Sequence, residues 1–104
     1  MKKLLLLFLV TFPVIASNNM EESIDVAKYF CGDDIECINI LSVELSTSFH
    51  EGFLQSKKDA EYKISALKNK ANSLSSLCEK APNSEICETY RGALMDKYIA
   101  GINQ

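Results

Sequence analysis

The chain has a single histidine and four glycines, and no glycine sits in a phosphate-cradling loop or frames a serine as a nucleophile elbow. The signatures of common nucleotide-binding proteins and serine hydrolases are therefore absent. None of the four cysteines forms a Cys-x-x-Cys pair. Paired zinc ligands normally lie two to four residues apart, so the spacings and the lone His50 argue against a metal site. No metal or cofactor is expected. No Gly/Ser linker, low-complexity run or convincing internal repeat divides the chain, and no segment requires a strand.

What is present begins with Lys2 and Lys3, followed by the apolar run Leu4 to Val10 and a less regular stretch ending at Val14, Ile15 and Ala16. That arrangement reads as a signal peptide over residues 1–16, cleaved near Ser17. The apolar core falls short of the ~20 residues of a spanning helix, so no stable membrane anchor is expected. Residues 17–104 are read as a single helical domain, small enough to benefit from covalent staples. The expected location is periplasmic or extracellular.

The formal charge is −3, and losing the two leader lysines makes the remainder more acidic. Nucleic acid is disfavoured as a partner, because phosphates must be neutralised by Lys and Arg. The acidity is uneven. Glu21, Glu22, Asp25, Asp33, Asp34, Glu36, Glu44 and Glu51 face only Lys28, whereas Lys57, Lys58, Lys63, Lys68 and Lys70 make the middle basic.

Apolar residues recur at helical spacing. Met20, Ile24, Ala27 and Phe30 mark a first helix that Gly32 ends, after which Asp33, with Glu36 three residues on, is expected to cap the second. Ile38, Leu41, Leu45, Phe49 and Phe53 form the second stripe, and Ala60, Ile64, Leu67, Ala71, Leu74 and Cys78 the third. Pro82 breaks the chain, and Asn83 or Ser84 caps a last helix. Its inner face is read as Ile86 or Cys87, Tyr90, Leu94, Tyr98 and Ile102, with Arg91 and Lys97 turned outward.

The joint from Gly52 to Asp59 decides the architecture. An unbroken helix from about Asp34 to Lys80 would be roughly 70 Å long, and its shorter neighbours would leave much of its apolar stripe uncovered. A fold-back near Leu54 to Ser56, with Ser56 capping the next helix, is favoured. The expected fold is all-α, a small disulfide-stapled bundle of two helical hairpins. The alternative is three helices with one long central helix.

Four cysteines allow three pairings. Residues six or nine apart in a straight helix cannot meet, but the reversals at Gly32 and Pro82 favour Cys31 with Cys37 and Cys78 with Cys87. The cross-hairpin set, Cys31 with Cys87 and Cys37 with Cys78, is the competitor.

His50 stands near Ser46, Thr47 and Ser48 without a visible orienting partner, so no catalytic residue is assigned. Phe49 and Phe53 are the candidate interface, being one turn apart where intramolecular cover runs short. The reading from sequence is a non-enzymatic, secreted or periplasmic protein-binding module: an envelope inhibitor, immunity or exclusion factor acting on an unidentified protein partner or on itself. The alternatives are a periplasmic chaperone or stress-protective protein and a membrane-active secreted toxin.

Overall fold

A computed structural model of the chain describes residues 19–104, and the leader read at 1–16 lies outside the described residues. Among the described residues four helices follow one another: α1 over 19–31, α2 (Ile35–Phe53), α3 (Ala60–Ser73) and α4 (Ser84–Ile102). The disulfide-stapled helical bundle expected from the sequence is the fold observed.

Each corner has a local cause. Gly32 adopts a φ of 62°, a left-handed conformation that glycine reaches without a Cβ clash, and its N–H donates to the Lys28 carbonyl at 2.9 Å. Asp34, not Asp33, caps α2: its extended backbone lets the carboxylate accept the Cys37 N–H at 3.1 Å. Cys31 and Cys37 are joined across this corner, with Cα atoms 5.6 Å apart. At the last corner Asn83 is the cap, accepting the Ile86 N–H at 3.1 Å. Cys78 and Cys87 are joined around Pro82, again with Cα atoms 5.6 Å apart.

The long central helix does not form, since α2 stops at Phe53 and α3 starts at Ala60. Ser56 is not the cap of α3. It is buried in the turn, where its N–H donates to the Phe53 carbonyl, and Asp59 caps α3 by accepting the Tyr62 N–H at 2.9 Å. Nor does Gly52 break the chain, because it lies inside α2 and serves packing instead.

Contacts fix the helix directions. Ser48 donates to the Leu94 carbonyl at 2.7 Å, and the Tyr90 hydroxyl donates to Glu44, so α2 and α4 run parallel. α1 runs antiparallel to both: Asn19 bonds Ser46, Glu22 pairs with Lys97, and Phe30 stacks edge-on against Tyr90. The core, centred on Ala27, Ile38, Leu45 and Leu94, lies where these three helices meet. Burying the Leu45 side chain alone stabilises the fold by about 2 kcal/mol.

The α2–α4 crossing is unusually close. A Cβ added at Gly52 would lie 2.0 Å from the Tyr98 carbonyl oxygen, and one at Gly101 would lie 2.0 Å from that of Phe49. Two glycines, one from each helix, thus let backbone meet backbone.

Two expectations about helix faces need correction. α3 contains no buried residue, and Ile64 and Ala71 of its apolar stripe are exposed. α1, α2 and α4 already enclose the core, leaving α3 as the crossover that joins two parallel helices. Lys97 is turned inward, only 8 % exposed. Its ammonium sits 3.5 Å from Glu22 and 5.7 Å from the centre of the Phe49 ring, so its stem packs while its charge is compensated. Ile86, one of the two residues considered for the inner face of α4, is exposed, while Cys87 is partly buried.

Candidate functional site

Because α3 stands off from the core, a cleft of about 440 Å³ opens between it and the C-terminal ends of α2 and α4. Leu54 and Gln55 of the α2–α3 turn form one lip, Tyr62, Ala66 and Asn69 of α3 the other, and Tyr98 of α4 contributes to the lining. Leu54 and Tyr62 are largely open to solvent.

One ion pair closes the cleft at the side: Lys70 Nζ lies 2.8 Å from Glu51 Oε1 and 5.5 Å from the centre of the Tyr98 ring. Exposed pairs of this kind contribute roughly 0.2–1 kcal/mol, enough to bias the position of α3 without fixing it. Tyr98 is nearly buried, and its phenol is pushed above the ordinary range, first by burial and then by the nearby Glu51 carboxylate and Tyr62. It is therefore a neutral hydrogen-bonding group at physiological pH. Gln55 Oε1 is buried and accepts no hydrogen bond, leaving an unmet acceptor beside the cleft. The arrangement offers apolar contact and neutral hydrogen bonding, with its charges satisfied internally.

The two phenylalanines proposed as an interface have different surroundings. Phe53 ends α2 and is 45 % exposed, directly before Leu54 of the cleft lip. Phe49 is half-buried beneath Lys97. Both lie against the glycine crossing, where the Phe49 carbonyl and the Phe53 amide closely approach Gly101. Sequence periodicity found these positions but missed Tyr62 and Gln55, since they belong to no apolar stripe.

His50 is exposed on the last turn of α2. The neighbouring hydroxyls are directed elsewhere: Ser48 donates to Leu94 and Ser46 accepts from Asn19. Asp34 is engaged as a helix cap. Among the described residues no three His, Cys, Asp or Glu side chains gather as a metal site, and no helix is long and apolar enough to cross a membrane.

A family model described as the Valyl--tRNA ligase modifier family matches residues 1–104, and the chain belongs to that family. None of the curated proteins and none of the solved structures matches. The family corrects the function read from the sequence. A name tied to valyl-tRNA ligase overturns the secreted or periplasmic envelope factor, together with the chaperone and toxin alternatives. Those readings rested on the leader pattern and on cysteine pairing, neither of which identifies a partner.

Proposed function

We propose that this member of the valyl-tRNA ligase modifier family binds a valyl-tRNA ligase as a protein partner and alters its behaviour, without catalysing a reaction of its own. The family match across the whole chain carries this reading. An acidic chain is poorly suited to hold tRNA directly, since tRNA binding requires cationic neutralisation of phosphates. Its effect on the ligase would therefore pass through protein contacts.

The rim of the cleft supplies candidate contacts. Phe53, Leu54 and Tyr62 expose apolar surface, and such residues act as binding anchors when a partner removes them from water. The α2–α4 crossing holds the end of α2 rigid, which limits the entropy lost on binding. α3, burying nothing, can shift to fit a partner segment against Tyr98 and Gln55.

The test combines calorimetric titration of purified valyl-tRNA ligase with an aminoacylation assay. Wild-type protein should form a saturable complex and change the kinetics or stability of the ligase. Phe53→Asp and Leu54→Asp should each weaken binding more than tenfold, roughly 1.4 kcal/mol, while circular dichroism shows unchanged helicity. Absence of a complex with wild-type protein at tens of micromolar refutes the proposal.

A further inference from the structure

A second recess, of about 540 Å³, lies on the opposite flank of α4, against α1. Val26 of α1 and Gly92 and Ala93 of α4 supply its small and apolar lining. A Cβ added at Gly92 would meet no atom within 4 Å, so the groove is open there. Asp25 of α1 and Asp96 of α4 also line it, and its lining contains no Lys, Arg or His. Among the described residues neither carboxylate is ion-paired, and Lys97, adjacent in sequence to Asp96, is committed to Glu22.

Tyr29 completes the recess. It is 79 % exposed, yet its ring packs edge-on against Phe30 at 5.1 Å, and Phe30 in turn packs against Tyr90 at 5.3 Å. An anchored aromatic ring, two unpaired carboxylates and a small apolar lining match the chemistry of Arg and Lys side chains. Their methylene stems lie along apolar surface while the charged heads meet carboxylates and ring faces.

We propose that the α1–α4 groove seats a basic segment of the valyl-tRNA ligase, as a contact separate from the cleft beside α3. The partner's identity rests on the function proposed above. The choice of occupant rests on charge complementarity: the groove is negative and uncompensated, and an enzyme that binds tRNA must carry Lys and Arg clusters to meet phosphates. The cleft beside α3 differs, since its Glu51 and Lys70 neutralise each other.

The experiment measures ligase binding by fluorescence anisotropy at 50 and 200 mM salt for wild type and for the Asp25→Asn/Asp96→Asn double variant. Both residues are exposed, so the double variant should retain wild-type circular dichroism. Its affinity should fall at least tenfold at low salt, and its salt dependence should flatten. Asp33→Asn/Glu79→Gln, an equal charge change at exposed positions away from the groove, should stay within twofold. In a second arm, an amidated Leu/Arg helical peptide should shift the amide resonances of Val26, Tyr29, Phe30 and Gly92 in wild type, but not in the double variant. Unchanged ligase affinity and salt response in the double variant overturn the groove assignment, as do peptide shifts confined to other helices. Peptide occupancy of the groove without any ligase complex supports the basic-segment chemistry and rejects valyl-tRNA ligase as the partner.

Discussion

Replacing Gly52 with alanine sets two effects of opposite sign against each other. Gly52 lies within α2, where alanine is the better helix former by about 1 kcal/mol. The added methyl, however, would sit 2.0 Å from the Tyr98 carbonyl oxygen, 2.9 Å from its carbon and 3.1 Å from the Ile102 nitrogen. All three are backbone atoms, so no rotamer change relieves the clash. Restoring ordinary contact at 3.4 Å requires a separation of about 1.4 Å along that line, and even a gap of about 0.5–1 Å forfeits a quarter to a half of each dispersion contact across the interface. Overpacking of this kind costs about 1–3 kcal/mol, and stretching the buried Ser48–Leu94 hydrogen bond adds roughly 1 kcal/mol. After the gain in helix propensity, a net destabilisation of about 1–3 kcal/mol remains, and the melting temperature should fall by roughly 5–20 °C. Urea unfolding followed by circular dichroism measures it. Gly101→Ala should behave alike, whereas Gly92→Ala, with open space at its Cβ, should be neutral or stabilising by up to about 1 kcal/mol. A Gly52→Ala protein as stable as the Gly92→Ala protein would refute the close crossing.

Complete reduction should destabilise the fold by roughly 2–3 kcal/mol per bridge on the loop-entropy account, given sequence separations of 6 and 9; an unchanged melt after thiol quantitation would count against it. Lys97→Ala should cost about 1–3 kcal/mol, because it removes a packed stem along with its compensated charge, and Lys97→Met should recover most of that loss; equal melting of the two variants would contradict the packing role. The Tyr90 phenol is pushed well up, first by burial and then by its hydrogen bond to Glu44 and that carboxylate's charge. The unfolded chain then releases the Tyr90 proton at a lower pH than the folded one, so this contribution to stability is intact below the unfolded value near pH 10 and declines as pH rises above it. Tyr90→Phe should flatten that alkaline decline, read as melting temperature against pH.

Helical periodicity located the four helices and both cysteine corners, because Gly32 and Pro82 constrain the backbone wherever they stand. Caps were legible to within a few residues. Asp33 and Asp34 share the same chemistry, and only the extended backbone at Asp34 aims its carboxylate at the Cys37 amide. Ser56 and Asp59 differ for the same reason. The α2–α4 interface was hidden, since counting large apolar residues overlooks Ser48 and Gly52, small residues buried where the two helices meet. Lys97 was assigned outward by its charge, a rule that fails when a long stem can reach a carboxylate and a ring face. The cleft brings together residues from three elements, among them Tyr62 and Tyr98, and no one-dimensional pattern joins them. The partner class was not written in any single motif.

The parallel pairing of α2 and α4 bears on how the chain finds its fold. Each disulfide closes a loop of fewer than a dozen residues, yet Ser48 must meet Leu94 across 46 positions. Oxidation therefore pre-forms two hairpins while leaving the longer search almost unshortened. Closure entropy and sequence separation place that search late and make it slow relative to helix formation. Because the bridges constrain the unfolded chain and the hairpins are in place before that search is complete, reduced chains should refold more slowly than oxidised ones while unfolding at a similar rate, which makes the bridges an aid to assembly more than a control on lifetime.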